Sequence, residues 1–414
     1  MQKIVDSLVA EMEKMPIIDA HEHLPTEAEV IAQTADVFTR IYCHYSITST
    51  ETAGMPAYDG VYPREMLHDT SIPLQERWRR FRPYLDAIRE TGYARAAQIT
   101  ARDLYGIEDI NDDTYEELSR RLQADNTPGI YDRVFRDKCK IECVLNQGPW
   151  VGQDGDLARE VSWDLGPVGS AEMFRGKLQS WTQQHGGEFA DPEDCVRHVL
   201  TSLVASGAVG LKFHASLPIK TVPTPEAQAL LTKTAGGKLT DEETFALETW
   251  LAHKGIELAS EFDLVVAVHC GILFCCWMDF TPGNPTNLIP LIMKYRSTTF
   301  DLYHGGIPWV REIAVMANQY PNVNLNLIWC HQISPYMTEN MLNEWIDLVP
   351  LNKIIGFGGD NAVPEKTYGV LVMARENIAR ALAVRIARGQ MSESRAADIC
   401  RMWLYDNPKR IYGL

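Results

Sequence analysis

The sequence predicts an α/β protein, a (β/α)8 TIM barrel with a helical insertion after its first strand. From residue 140 onwards, short runs rich in β-branched and aromatic residues alternate with helical patterns, which is typical of a parallel sheet. The runs are apolar without alternation, so we expect both of their faces to be buried. About seven or eight of them follow one another, and this number favours a closed barrel over an open doubly wound sheet.

The individual strands and helices can be placed from the same patterns. Strands are expected at 17–23, 140–145, 208–214, 264–271, 298–306, 323–331 and 353–360, with the third strand somewhere in 159–174. Helices are expected at 192–206, 241–262, 308–321, 337–348, 368–388 and 392–405. No GxGxxG motif opens a helix after the first strand, which disfavours a dinucleotide-binding sheet. The late glycines Gly356, Gly358 and Gly359 lack the Lys-Ser/Thr ending that a phosphate loop needs.

A long polar stretch with helical patterns interrupts the barrel after its first strand. It includes IPLQERWRRFRPYLDAIRETGYARAAQ and TYEELSRRLQADN, with turn signals such as MPAYDGVYPRE between them. We therefore expect a barrel domain of residues 1–25 and 137–414 and a helical insertion of residues 26–136. The insertion is expected to cover the barrel mouth or to form a subunit contact.

Composition excludes several classes of protein. Hydrophobic residues make up 45% and charged residues 23% of the 414, as in ordinary globular chains. The net charge of -16 disfavours binding to a nucleic-acid backbone, and no apolar run is long enough for a membrane span. The nine scattered cysteines fit a reducing compartment, and the amphipathic start does not resemble a signal peptide. We expect a cytoplasmic homo-oligomer that acts on a small molecule, with an anionic substrate as one option.

Metal-competent side chains recur where the predicted strands end. In a barrel these ends share one mouth, where functional sites are built. A single histidine there is commonly a satisfied polar group, but a run of strands that all end this way is improbable by chance. The residues are His21, His23, Lys212, His214, His269, His304, His331 and Asp360.

The first strand carries the clearest pattern, Asp19-Ala20-His21-Glu22-His23. Residues two apart on a strand share a face, so Asp19, His21 and His23 should point one way and Glu22 the other. Two imidazoles about 7 Å apart along the strand can converge on one cation. Asp19 lies deeper on the same face and is expected to orient a ligand.

His269 and Asp360 are expected to complete this metal site. His269 ends a buried apolar strand, and Asp360 follows Phe-Gly-Gly, where absent side chains let neighbouring chain approach. Three or four protein ligands with an open position are typical of a catalytic site, where the metal lowers the pKa of water towards about 7. We expect one or two divalent ions, zinc first and manganese or iron as alternatives.

The remaining polar residues have more than one interpretation. His304 is expected to bind a second metal or to act as an acid or base on the substrate. Lys212 is a candidate carbamylated bridge or substrate-binding cation, with a plain salt bridge as the alternative, and His214 shares its face. Three weaker candidates for substrate contact each have an ordinary structural alternative. They are Arg95, Trp309 and His331.

Together these residues resemble the amidohydrolase superfamily of metal-dependent TIM barrels, and within it the amidohydrolase 2 branch. The resemblance rests on IIDAHEH, on the strand-end His269 and His304, and on GFGGD. The stretch HGGIPWVREIAVMANQYPNVNLNLIW is similar to the branch's sixth and seventh strands, and DNPKRIYGL to its C-terminal tail. It implies a divalent metal held by His21, His23, His269 and Asp360, with His304 at a second metal or at the substrate.

The branch includes hydrolases, lactonases, non-oxidative decarboxylases, uronate isomerases and some diiron enzymes. We expect a hydrolase that cleaves a C–N or C–O bond through metal-activated water, with Asp360, His304 and Lys212 as catalytic residues. Decarboxylation at the same site is the main alternative. Uronate isomerases usually carry an arginine shortly after the final aspartate, whereas Asn-Ala-Val-Pro follows Asp360 here. A non-catalytic binding barrel is the alternative from another class.

Overall fold

The computed structural model of the protein describes residues 1–148, 157–163, 176, 191–235, 239–274 and 276–414. It is an α/β structure with parallel strands. Within these residues the strands are β1 (Ile17–Glu22), β2 (Ile141–Asn146), β3 (Ala158–Glu160), β4 (Gly210–His214), β5 (Val265–His269), β6 (Phe300–Leu302), β7 (Val323–Asn326) and β8 (Ile354–Ile355). The chain forms two compact units. The first unit comprises Met1–Ala158, Ile272–Phe280 and Asn326–Lys409, and the second comprises Arg159–Gly271, Thr281–Leu325 and Arg410–Leu414.

In the first unit, β1 is the strand around which the other elements are arranged. It pairs in parallel with β2, and all six of its residues are buried. It also bonds the segment 357–361, because Ala20 N–H donates to the Phe357 carbonyl at 3.2 Å and Asp360 N–H donates to the His21 carbonyl at 2.9 Å. The start of the chain and the segment before its last helices therefore meet along one strand.

In the second unit, β4 to β7 pair in parallel in chain order. The register aligns His214 with His269, the last residues of β4 and β5. The four strands are almost wholly buried, as expected for a sheet covered by helices. The predicted parallel α/β architecture is therefore confirmed.

The stretch after β1 is helical, as predicted, and it has an apolar core of its own. That core includes Phe38, Trp78, Phe81 and Leu118. The contacts group this stretch with β1 and β2 in the first compact unit. Its α-helices are Glu27–Ala32, Tyr45–Thr52, Pro63–His68, Leu74–Ile88, Gly92–Tyr105 and Tyr115–Asp125, with π-helical turns at Val37–Ile41 and Asp132–Cys139.

The other described helices flank the strands. They are Gln2–Met12, Pro192–Ala205, Thr224–Ala235, Asp241–Leu258, Ile289–Lys294, Val310–Gln319, Cys330–Ile333, Pro335–Leu348, Pro364–Ala387, Glu393–Arg401 and Asn407–Tyr412, with a π-helical turn at Met402–Asp406. In the described ranges, none has both the length and the apolar content needed to cross a bilayer. The helix predicted at 368–388 begins earlier, at Pro364, because proline fits the first helical turn.

Several strands are shorter than predicted, and backbone geometry explains this. The strand predicted at 298–306 ends at Leu302, since His304 has φ 62° and starts a 3-10 turn. The strand predicted at 323–331 ends at Asn326, before Trp329 at φ 65°. Left-handed residues cannot continue a strand. For the third strand only Ala158–Glu160 is observed, and 164–174 of its predicted window lie outside the described residues.

Candidate metal centre

β1 presents two histidines at its C-terminal end. His21 is fully buried, while the His23 side chain is 35% exposed. Their Nε2 atoms lie 3.2 Å apart, and the rings meet edge to face. The convergence that the His-x-His spacing predicts is therefore present in the structure.

Asp360 reaches the same point from the other end of the chain. Its backbone has φ 56°, a left-handed conformation that costs energy in a residue other than glycine and is concentrated at functional sites. The preceding glycines permit the close approach to β1. A Cβ on Gly358 would lie 2.4 Å from Ile328 Cγ1, and one on Gly359 would lie 2.1 Å from Glu22 Oε1. The expected role of the missing side chains is confirmed.

The three donor atoms form a compact triangle. Asp360 Oδ1 lies 3.6 Å from His21 Nε2 and 3.1 Å from His23 Nε2, and the third side is the 3.2 Å histidine pair. Ligands about 2.1 Å from a cation in tetrahedral array are separated by roughly 3.4 Å. Two imidazoles and a carboxylate are also a donor set typical of zinc, manganese or iron. The side chains of His21, His23 and Asp360 therefore fit a divalent metal ion.

A pair of buried carboxyl groups lies next to this triangle. Asp19 Oδ1 accepts hydrogen bonds from the backbone N–H groups of His21 at 3.2 Å and Gly359 at 3.1 Å. Asp19 therefore holds the backbone of His21 and that of the residue before Asp360. Glu22 hydrogen-bonds to Asp19, which corrects the prediction that it points the other way. A register shift between Asp19 and Glu22 breaks the alternation along β1.

Burial raises the pKa of both carboxyl groups. Loss of solvent is the main cause for Asp19, whose pKa rises to about 6. Burial raises the pKa of Glu22 well above its usual value, and the nearby Asp19 carboxylate adds to the effect. Glu22 is also held by the Thr367 hydroxyl, which donates to Oε1 at 2.6 Å, and by the Asn361 N–H.

The structure adds two site residues that sequence reasoning missed, His44 and Tyr45. The Tyr45 hydroxyl hydrogen-bonds to Asp360, and its ring stacks on Trp329 with 4.2 Å between centroids. Burial, followed by the charge of Asp360, raises the pKa of Tyr45, so the hydroxyl keeps its proton. Burial also lowers the pKa of His44 well below its usual value, which keeps that imidazole neutral. The only signal in the sequence is Cys-His-Tyr-Ser in the insertion, away from any strand end.

A cavity of about 900 Å³ opens beside the triangle, and His23 and His44 line it. Most of the other walls come from the insertion and from the ends of β1 and β2. The lining residues that can form hydrogen bonds through their side chains include Glu29, Gln33, Thr34, Thr39, Arg64, His68, Thr70, Asn146 and Gln147. The insertion therefore supplies part of the wall of this cavity within the first unit. Its expected role as a cover of the barrel mouth or as a subunit contact stays a prediction.

Four of the other predicted site residues lie together in the second unit. His304 Nε2 lies 2.8 Å from His269 Nδ1, and the His214 ring stacks on His269 with 4.9 Å between centroids. Lys212 Nζ lies 4.2 Å above the centre of the Tyr303 ring. These contacts place four of the predicted residues together. The metal-binding and catalytic roles predicted for them stay predictions.

The three weaker candidates for substrate contact differ in their burial. Arg95 is exposed on the helix Gly92–Tyr105, and Trp309 is half-buried before the helix Val310–Gln319. His331 is fully buried, with Nε2 at 2.8 Å from the Gly356 carbonyl and Nδ1 at 3.2 Å from the Asn377 amide. Burial lowers the pKa of His331 to about 4. Their predicted substrate contacts stay predictions.

Gly359→Ala is expected to lower the free energy of unfolding by about 1–3 kcal/mol, because the new methyl group overpacks the held Glu22 carboxyl and shifts Asp360. Gly356→Ala is the matched control, since its nearest contact, Trp403 Cβ, lies at 3.0 Å. Denaturant unfolding of both variants measures the two losses of unfolding free energy and shows which is larger. A Gly359→Ala cost no larger than that of Gly356→Ala would contradict this packing.

Curated relatives match part of the chain. A uronate isomerase of Nostoc punctiforme is 26% identical over 215 residues, which cover 46% of this chain and 44% of that protein. Protein fluG of Emericella nidulans is 26% identical over 141 residues, which cover 33% of this chain and 16% of that protein. The match therefore spans less than half the length of either relative.

Solved structures match almost the whole chain. The uronate isomerase of Thermotoga maritima has a TM-score of 0.79 at 15% identity, over 99% of this chain and 97% of that one. The glucuronate isomerase of Caulobacter crescentus has a TM-score of 0.75 at 16% identity, over 100% and 94%. At such identities the likeness is one of fold.

The family model covers more of the chain than either curated relative does. The model of the amidohydrolase family matches residues 187–414, more than half of the chain. Members of this superfamily are typically metal-dependent, and the His21–His23–Asp360 triangle fits that property. The chain belongs to the amidohydrolase family.

Proposed function

We propose that the protein is a metal-dependent hydrolase, folded as a closed (β/α)8 barrel, that cleaves a C–N or C–O bond in a small polar substrate. The observation that carries this proposal is the triangle of His21, His23 and Asp360 beside a cavity of about 900 Å³. Partly exposed His23 lines that cavity, so a substrate bound there can reach the donor atoms.

In this proposal His21, His23 and Asp360 hold the cation. A divalent cation held there would supply Lewis-acid activation of water and of the substrate oxygen. Asp360 accepts the proton of the attacking water and passes it to the leaving group. Tyr45 orients the Asp360 carboxyl through its hydrogen bond and keeps a proton next to it. Neutral His44 offers a hydrogen bond to the substrate from the cavity wall.

The residues of the second unit complete the proposal. His269 is the fourth ligand, and His304 and Lys212 orient or polarise the substrate, with His214 beside them. Zinc is the first choice of metal because two imidazoles and a carboxylate suit it, while manganese and iron are the alternatives, as one or two ions. We also propose a cytoplasmic homo-oligomer whose partner is a small-molecule substrate.

The test is an assay of protein reconstituted with zinc, manganese or iron(II). A panel of acyl amides, lactones and carboxylated aromatics is incubated with each form, and products are identified by mass spectrometry. Hydrolysis is expected to give products whose summed mass exceeds that of the substrate by one water, as two fragments from an acyl amide and as one hydroxy acid from a lactone. Metal-dependent release of carbon dioxide without such products would replace hydrolysis by decarboxylation.

Isomerisation of a uronate is the second candidate. It is supported by the fold likeness to uronate isomerases along nearly the whole chain, the helical insertion included. The Asn-Ala-Val-Pro that follows Asp360 counts against it, since uronate isomerases usually have an arginine there. Nuclear magnetic resonance of D-glucuronate with the metal-loaded protein separates the two, because isomerisation converts the aldose into a ketose of unchanged mass.

A further inference from the structure

The cavity beside the triangle of His21, His23 and Asp360 is also lined by a positively charged residue, Arg64. The reaction proposed for Asp360 gives Arg64 no role. Among the described lining residues of the cavity, Arg64 is the one whose charge is permanent and positive. It lies on the short helix Pro63–His68 and is exposed to solvent. The lining carboxylate, Glu29, hydrogen-bonds to the N–H and hydroxyl of Thr26, both at 2.8 Å, in a capping box at a helix start.

Arg64 is oriented by an aromatic ring. Its guanidinium carbon lies 4.6 Å above the centre of the Phe274 ring, a cation–π contact that fixes a long side chain at little cost. The same ring packs against both residues that the structure adds to the site. Its centroid lies 4.9 Å from those of His44 and Tyr45, and it meets Tyr45 edge to face. Phe274 therefore contacts both the Arg64 guanidinium and Tyr45, whose hydroxyl hydrogen-bonds to Asp360.

Uncharged hydrogen-bonding groups line this cavity together with Arg64. His68, also on the wall, has a pKa lowered to about 4 by burial and by the nearby Arg64 charge, so it is neutral at pH 7. Thr34, Thr39, Asn146 and Gln147 supply uncharged donors and acceptors. A cavity that offers a guanidinium together with neutral hydrogen-bonding groups suits a carboxylate that also carries hydroxyl groups.

We propose that Arg64, positioned by Phe274, determines a preference for small hydroxylated carboxylates, binding their carboxylate while the reacting bond faces the metal triangle. This rests on the proposed function only in taking the cavity as the substrate site. Arg64 is then the specificity-determining residue and Phe274 is a positioning residue. Neither is required for metal binding, since neither belongs to the donor triangle.

The test measures binding and does not require turnover. Full-length, zinc-loaded protein is titrated calorimetrically with D-gluconate and with D-gluconamide, which match in size and hydroxyl groups and differ in charge. Wild type is expected to prefer gluconate. Arg64→Gln should lose roughly tenfold to a hundredfold of that preference, the contribution of a hydrogen bond between charged groups. Arg64→Lys should keep part of the preference, because lysine keeps the positive charge but lacks the paired N–H donors with which a guanidinium binds both carboxylate oxygens.

Two further variants separate this role from general stability. Phe274→Leu keeps an apolar side chain but removes the ring face, so the preference should fall a few-fold with zinc content unchanged. Arg120→Gln removes an exposed cation that pairs with Glu117 outside the cavity and should leave the preference as in wild type. An equal affinity of wild type for both compounds, or an unchanged preference in Arg64→Gln, would overturn the proposal. Failure of hydrolysis in the substrate panel would leave this binding result standing.

Discussion

Asp360→Asn is expected to reduce turnover by about 10²–10⁴-fold while the protein stays folded. The amide has nearly the same shape, and asparagine tolerates the left-handed backbone that Asp360 adopts at φ 56°. It cannot accept a proton from water, and it removes the negative charge that lies within 3.6 Å of two imidazoles. Metal affinity is therefore expected to fall together with the rate.

The measurements are kcat/KM, metal content and thermal unfolding of the same preparation. Asp398→Asn is the control, since that carboxylate is 65% exposed on the helix Glu393–Arg401 and pairs only loosely with Arg395. It should behave as wild type in all three. If Asp360→Asn binds metal and turns over at the rate of the control, Asp360 has neither role.

Removing the metal with a chelator is expected to abolish activity and to lower the melting temperature. The cation site is built from groups buried close together, and a ligand that binds only the folded state stabilises it by about 2.7 kcal/mol at one hundred times its Kd. Adding back zinc, manganese or iron(II) should restore both properties and rank the three metals. The checks are activity and scanning calorimetry before and after dialysis.

His23→Ala supplies the matched control for chelation. It removes one donor at the cavity wall, the His23 ring that is 35% exposed, and leaves the buried His21 in place. The variant should have little activity and a melting temperature that the chelator hardly changes. A wild-type protein that keeps its full activity after its metal has been removed would rule out the metal-dependent mechanism.

The histidine pair was predictable because strand geometry alone determines it. Residues two apart share a face, and His21 and His23 meet with 3.2 Å between their Nε2 atoms. The same rule failed for Glu22, because it assumes an even register and β1 shifts register against β2 between Asp19 and Glu22. Such shifts depend on the partner strand and cannot be seen in β1 itself.

The residues that the insertion contributes to the site could not be predicted from the spacing of residues in the sequence. Tyr45 acts through its packing on Trp329 and its bond to Asp360, contacts that join residues about 300 positions apart in the chain. The helix Tyr45–Thr52 does not follow a predicted strand, so no strand-end pattern pointed to Tyr45. The strand lengths were also missed, because the residue types of His304 and Trp329 do not reveal their left-handed backbone.

The most direct test is anomalous diffraction from crystals of the zinc-loaded protein, measured on both sides of the zinc absorption edge. We expect a peak about 2.0–2.2 Å from Nε2 of His21, Nε2 of His23 and a carboxylate oxygen of Asp360. A protein that holds stoichiometric zinc at some other position, with no peak among these three side chains, would contradict it.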